Sequence, residues 1–362
     1  MRVLIVHDEP IERGYGAEAY VRRLVDGLRG AGDTVEVMAG ERKHRGGAKL
    51  FDVWDPVAHR MVATRAQAFR PDVIHHHNVL RELSASVLGA APAVPAVMTL
   101  HDRRLFGARE HAMGTPHRVV ESAGAAAVLR AARRRLAATI GVSDPVSDLA
   151  RRAGLPAVTT VPVPAAEPVG VLKPAQQCRD VLVMARLAAD KGVDVVIDAF
   201  AAVAGEAGAS RLLIAGDGPQ RHALQQRAGP LGGRVSFLGW LDELELSSQL
   251  GRARVVVVAS VPGRRPEGSS LAAVEAATHG RVVIGSDDPA VAEVVGSLGA
   301  GTAVAAGDAT ALAAELRRLL SDDAAVASYA RAGVIGAKVH SIASVAAATR
   351  AVYVAAVEGR VA

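Results

Sequence analysis

The chain has 362 residues, half of them apolar and only 3% aromatic, with 42 Lys+Arg against 37 Asp+Glu and a single cysteine. That composition excludes a disordered or fibrous chain, and the lone Cys178 excludes an internal disulfide framework. At roughly 100–200 residues per domain the length fits two domains, each able to bury its own core. No apolar run reaches the ~20 residues of a membrane span. Met1-Arg2-Val3-Leu4-Ile5-Val6-His7 runs directly into Asp8 and Glu9 without the cleavage region of a signal peptide, so a reducing, cytoplasmic location is expected.

Short β-branched runs alternate with Ala/Leu/Arg segments of helical period along the chain. The pattern predicts a strand over Val3–His7, a helix over Ala17–Arg29 and a strand over Thr34–Ala39, the signature of a βαβ unit. Further strands are predicted over Pro71–His75, Ala96–Leu100, Ala138–Val142 and Val158–Val161, most of them apolar runs of the kind buried on both faces. Periodicity then stops and prolines gather at Val161–Pro168, which reads as a linker. A second set starts with a strand over Asp180–Ala185 and a helix over Val193–Val203. Strands over Arg211–Ala215, Val235–Leu238, Val255–Ala259 and Val282–Ser286 follow, and an amphipathic helix over Ile342–Val357 closes the chain. Two doubly wound parallel sheets in tandem are expected, with domains at 1–164 and 165–341 and the helix 342–362 crossing back to the first domain. The default ligand site of such an arrangement is a cleft between the domains.

Charge is unevenly placed. Residues 1–164 hold 23 basic and 17 acidic side chains, and the rest hold 19 and 20. A basic half suits an anionic substrate or an anionic membrane face, leaving weak peripheral contact with the inner membrane face open. Nucleic acid is not an expected partner, because single-strand binding relies on aromatic platforms that this chain lacks.

Four stretches carry chemistry. Gly14-Tyr15-Gly16-Ala17-Glu18-Ala19 opens a helix, and its N–H groups suit an anion or simply a helix entry. It lies six residues beyond the first strand, and no acid ends the second strand, so a nicotinamide cofactor is disfavoured. In the second stretch, Arg186 and Lys191 lie five residues apart just past a strand, where open α/β sheets bind ligands, and Gly192 follows. Two cations there suit a diphosphate or form a solvated loop. Third, Glu267 and Glu275 lie eight apart around a helix start at which Ser269 and Ser270 read as cap and first turn. Carboxylates suit sugar hydroxyls because each accepts hydrogen bonds in pairs. Fourth, His101 and Asp102 end one strand and His75-His76-His77-Asn78 another. A zinc site is disfavoured, since neighbouring histidines on a strand face opposite sides and no Cys or second His motif accompanies them.

Taken in order, these residues resemble the retaining glycosyltransferases of family 4, which have the GT-B fold of two Rossmann-like domains around a deep cleft. The resemblance rests on Gly16-Ala17-Glu18, Asp72 to His75, Thr99-Leu100-His101-Asp102, Val142-Ser143, Arg186-Leu187 with Lys191-Gly192, Gly216-Asp217-Gly218-Pro219, Phe237-Leu238-Gly239 and the E-x7-E pair Glu267 and Glu275. It implies a metal-independent transferase moving a hexosyl-type residue from a UDP- or GDP-sugar to an acceptor hydroxyl, with no cofactor. Arg186 and Lys191 would neutralise the leaving diphosphate, Glu275 would hold the ribose and Glu267 the donor sugar. Backbone amides at Ser269, Ser270, Leu271 and Gly16 would cradle the phosphates, and His101 would reach the donor on closure. The chain differs from the common pattern at Tyr15, at Ser269-Ser270 and at Val163-Pro164. A nucleotide-sugar epimerase or hydrolase on the same scaffold is the alternative, and a catalytically silent binding subunit is a third reading.

Overall fold

A computed structural model describes residues 1–11, 16–40, 54–77, 79, 83–106, 116–206, 210–261 and 268–359, the side chains of 116–122 excepted. The chain divides into two compact units, Met1–Pro164 with Ile342–Ala362, and Ala165–Ser341.

The first unit contains β1 (Arg2–His7), α1 (Ala17–Gly30), β2 (Thr34–Ala39), α2 (Pro56–Phe69), β3 (Val73–His77) and β4 (Ala96–Leu100). It continues with α3 (Pro116–Arg135), β5 (Leu136–Gly141), α4 (Asp144–Arg152) and β6 (Val158–Thr160). All six strands are parallel, in the order β2-β1-β3-β4-β5-β6. The β-branched runs on β1, β3 and β4 are buried throughout because helices cover both faces, the condition under which a parallel sheet excludes water from its ladder.

The second unit repeats the design with β7 (Asp180–Met184), α5 (Val193–Val203), β8 (Leu212–Ala215), α6 (Arg221–Ala228), β9 (Val235–Gly239) and α7 (Glu243–Leu250). Then come β10 (Ala253–Val258), α8 (Leu271–Thr278), β11 (Val282–Ser286), α9 (Pro289–Leu298), β12 (Gly301–Val304), α10 (Ala309–Ser321) and α11 (Asp323–Gly336). Its sheet is also parallel, ordered β12-β11-β10-β7-β8-β9. Val181, Val183, Val196, Phe200, Leu212, Ile214, Val255, Val257 and Ile284 form its core. Aspartates start four of its helices: Asp242, Asp288, Asp308 and Asp322 each accept a first-turn N–H, replacing a bond the helix cannot make itself.

The last helix, α12 (Ile342–Val357), belongs to the first unit. Its buried stripe of Val345, Ala346, Thr349, Val352, Tyr353 and Ala356 recurs at helical spacing, and Arg350 reaches the fully buried Asp33 carboxylate at 2.7 Å. Gly27 on α1 makes the approach close. A Cβ there would lie 2.8 Å from Ala346 Cβ.

The structure moves several boundaries and adds one strand. β3 begins and ends two residues later than expected, at Val73–His77, so His76 and His77 lie inside the sheet. β12 was hidden in a short Gly-Thr-Ala-Val run at the sheet edge, half-buried and without a full apolar signature. The basic residues of α3 line its outer side. Val128 and Ala132 are fully buried on its inner side, while Arg130, Arg133, Arg134 and Arg135 are exposed.

Candidate functional site

In the second unit the strand order reverses between β7 and β10, which continue outward in opposite directions. Open α/β sheets bind ligands outside the carboxyl ends of the strands at such a point. The loop after β7 carries Arg186, whose Nη2 donates to Asp190 Oδ1 at 3.2 Å, and Lys191, whose Nζ lies 4.0 Å from Asp190 Oδ2. Asp190 is the anchor: its side chain is 11% exposed, against 48% for Arg186 and 22% for Lys191. Two cations share one carboxylate at the strand end.

This loop is tied to the next one. Val261 N, beyond β10, donates to Asp190 O at 2.9 Å. Gly192, at φ 59°, closes the turn, and a Cβ there would lie 2.1 Å from Ala259 O, so the two loops approach this closely only around glycine. On the other side the Gly216–Pro219 turn braces the loop backbone, with Leu187 N donating to Asp217 O and Gln220 N to Leu187 O, both at 2.9 Å. That turn is therefore a support of the cation loop.

The β10 loop leads into α8. Ser270 is its N-cap, with Oγ accepting from Ala273 N at 3.2 Å, and Leu271 is the first helical residue. The expected cap and first turn at Ser269-Ser270 are thus shifted by one: Ser269 lies before the cap and Ser270 is the cap itself. The amides at the open end of α8 belong to Leu271 and Ala272, where the helix dipole favours an anion. Glu275 lies one turn on, 6% exposed among Ala273, Val274, Ala276 and Ala277. Glu267 lies outside the described residues, as do Gly14, Tyr15, Asn78 and Arg109.

In the first unit the order reverses between β1 and β3. Gly16 precedes α1, exposed and at φ 78°, with nothing among the described residues within 4 Å of an added Cβ. Glycine is required there by the backbone angle. At the end of β1, Asp8 is buried and accepts from Leu83 N at 2.8 Å.

Beside it lies an array of histidines, with His75, His76 and His77 buried and His101 half-buried. Strand alternation puts His75 and His77 on one face, their ring centroids 4.0 Å apart, and His76 on the other. His75 bonds Tyr353 Oη through Nδ1 at 2.6 Å and Thr99 Oγ1 through Nε2 at 2.7 Å. His77 Nδ1 meets His101 Nε2 at 2.8 Å, and Tyr20 stands edge-on to His101 with centroids 4.7 Å apart. Burial pushes His75 and His77 well below the ordinary imidazole range, and His76 and His101 down to about 3. Neighbouring histidines add to the effect at His75, His77 and His101. These four imidazoles are neutral at pH 7. Asp102 instead holds Arg104, accepting from its backbone N at 2.9 Å and from its Nε at 2.6 Å.

Sequence reasoning had picked out Arg186, Lys191, Ser270, Glu275, Gly16 and His101. The structure adds Asp190 and Tyr353, and bonds His77 of the histidine run to His101. The spacing Arg186 to Asp190 carried a signal for the first, but nothing local pointed to Tyr353, 278 residues from His75.

Two family models match, one in each unit. Residues 15–166 match "Glycosyltransferase Family 4" and residues 178–322 "Glycosyl transferases group 1". A glycogen synthase of Mycobacterium tuberculosis is 30% identical over 274 residues, 74% of this chain and 64% of that protein. The match therefore spans less than two thirds of that relative. A phosphatidyl-myo-inositol mannosyltransferase of Mycolicibacterium smegmatis is 27% identical over 357 residues, covering 91% of this chain and 87% of the relative. Among solved structures, sucrose-phosphate synthase of Thermosynechococcus elongatus aligns with a TM-score of 0.74 at 20% identity, covering 98% of each chain. Anabaena HepE, in complex with UDP and glucose, aligns at 0.70 and 19% identity, covering 97% of this chain and 98% of that one. With its two doubly wound parallel sheets, the protein has the two-domain α/β fold of the GT-B class. The chain belongs to glycosyltransferase family 4.

Proposed function

We propose that the chain transfers a hexosyl-type residue from a UDP- or GDP-sugar to the hydroxyl of a saccharide, lipid or small-molecule acceptor, with retention and without a metal. The observation that carries this reading is the Arg186–Asp190–Lys191 loop at the end of β7, stitched through Val261 to the loop that starts α8. A departing nucleoside diphosphate gains negative charge as the glycosidic C–O bond breaks. Cations already held by Asp190, together with amides at the open end of α8, would meet that charge with little reorganisation. Arg186 and Lys191 then fill the role a divalent ion plays elsewhere.

In this reading the acceptor oxygen attacks the anomeric carbon on the face the diphosphate leaves, and a diphosphate oxygen takes the acceptor proton. Configuration is retained without a carboxylate nucleophile. Glu275 holds the ribose hydroxyls and Glu267 those of the sugar. Amides of Ser269, Ser270, Leu271 and Gly16 hold phosphate, and His101 contacts the donor sugar. HepE has been seen with UDP and with UDP-glucose, which favours testing the uridine nucleotides first. Lys191→Ala should leave the fold intact and cost at least about a hundredfold in kcat, the scale of losing one preorganised charge-stabilising donor. Turnover within about tenfold of wild type would contradict the leaving-group role.

Contact with an anionic membrane, in this account, is electrostatic only. Val128 and Ala132 of α3 are buried and its exposed arginines remain, and among the described residues no helix is long and apolar enough to cross a membrane. Sedimentation with anionic vesicles should show weak binding at low salt that disappears at about 0.5 M, where screening is within a few Å. No binding at low salt would remove this contact.

A further inference from the structure

The pair His77–His101 has one hydrogen bond, Nδ1 to Nε2 at 2.8 Å, and therefore one proton between the two nitrogens. With both rings neutral, each carries a single N–H, and only two arrangements exist. If His101 donates, His77 must carry its own proton on Nε2. That atom is buried and has no partner among the described residues, so a buried N–H would be stranded. If His77 donates from Nδ1, its Nε2 is a bare lone pair, and the stranded group is an acceptor. Among backbone groups the orphaned buried N–H is the rarer defect, and the same ordering, carried over to the imidazole, favours the second arrangement. The second arrangement has a consequence one residue further on: His101, accepting at Nε2, holds its proton on Nδ1.

We propose that His77 is a positioning residue that fixes His101 as the Nδ1–H tautomer, so that His101 meets its ligand as a hydrogen-bond donor and never as a general base. The proposal rests on the reading above, in which His101 touches the donor sugar. The surroundings hold the geometry. His75, stacked on His77, is pinned at both nitrogens by Tyr353 and Thr99. Tyr20 stands against both His77 and His101, at centroid distances of 5.8 and 4.7 Å. The ring of His77 is thus clamped between strand and helix neighbours and cannot swing its Nδ1 away without opening the core.

The role separates from simple packing by a pair of variants. His77→Asn places an amide N–H near the position of Nδ1 and retains the donation. His77→Leu fills the space and removes it. The tautomer is read directly, without substrate, from long-range ¹⁵N–¹H correlation spectra of the full chain labelled on histidine, the His101 signal being identified by its loss in His101→Gln. The expected result is a proton on His101 Nδ1 in wild type and His77→Asn, and mixed protonation in His77→Leu. In turnover assays His77→Leu should lower kcat by about tenfold or more with the donor KM little changed, while His77→Asn stays within about threefold of wild type. A proton on His101 Nε2 in the wild type would overturn the proposal, as would unchanged tautomer and kcat in His77→Leu. If His77→Leu does not fold, the wild-type and His77→Asn spectra decide it. Wild-type protein that turns over no sugar nucleotide would contradict the proposed function, and the tautomer spectrum would still decide the role of His77.

Discussion

Both units are six-stranded parallel sheets with a switch point, reached after two strands in the first and three in the second, but they place their polar residues in different environments. In the second unit the chemistry sits in loops: Arg186 is half exposed, Lys191 partly so, and one buried carboxylate organises both. In the first unit the distinctive groups are neutral imidazoles on β3 and just after β4, three of which, His75, His77 and His101, bond to one another or to Thr99 and Tyr353. A charged loop offers cations to an anion, whereas a neutral hydrogen-bonded array fixes direction. On the function proposed above, one unit supplies electrostatics and the other orientation.

The largest expected effect probes the buried array. His75, His76, His77 and His101 all have depressed pKa values in the folded chain, two of them about 3. The unfolded chain binds protons at these sites below about pH 6.5 while the folded chain does not, so stability is complete above that pH and is lost as pH falls toward 3. Each histidine contributes about 1.4 kcal/mol per pH unit in that window, up to about 5 kcal/mol per unit together. Hydrogen exchange followed from pH 7 to pH 4.5 should show the first unit losing protection before the second. Simultaneous loss in both units would break the contrast.

Next in size is the loop. Beside the Lys191→Ala loss, Arg186→Ala should cost less, about tenfold in kcat, because its guanidinium is already half solvated. Equal losses would mean that exposure does not set the division of work. A smaller effect tests how α12 docks in the first unit. Gly27→Ala gains about 1 kcal/mol of helix propensity but puts a methyl against Ala346 and Ile342, an overpacking cost of about 1–3 kcal/mol. Chemical denaturation should show a net loss of stability. The smallest is Ser270→Ala, which removes the α8 cap for about 1 kcal/mol and should weaken nucleotide binding more than it lowers the melting temperature.

The strand and helix pattern was legible because the inner parallel strands, such as β1, β4 and β10, are buried on both faces and announce themselves as apolar runs. Where that failed, the reason was physical. β3 carries three histidines that end the apolar signal, yet all three are buried because they bond within the fold or lose their charge. β12 is a short, half-buried edge strand with little apolar character to detect. Arg186, Lys191 and Ser270 could be placed at strand ends and a helix start from local sequence. The ties between those loops, Val261 to Asp190 and Gly192 against Ala259, depend on strand order, which no local pattern encodes. The same holds for Tyr353 reaching His75 from the far end of the chain.

The most direct test of the central claim is the melting temperature of wild type and Lys191→Ala with UDP, GDP and NAD, since a ligand that binds only the folded state must raise it. The account predicts that UDP or GDP raises the wild-type melting temperature, that Lys191→Ala loses most of that rise, and that NAD gives none. No rise with either nucleoside diphosphate, a rise with NAD alone, or an undiminished rise in Lys191→Ala would contradict a diphosphate site at the end of β7.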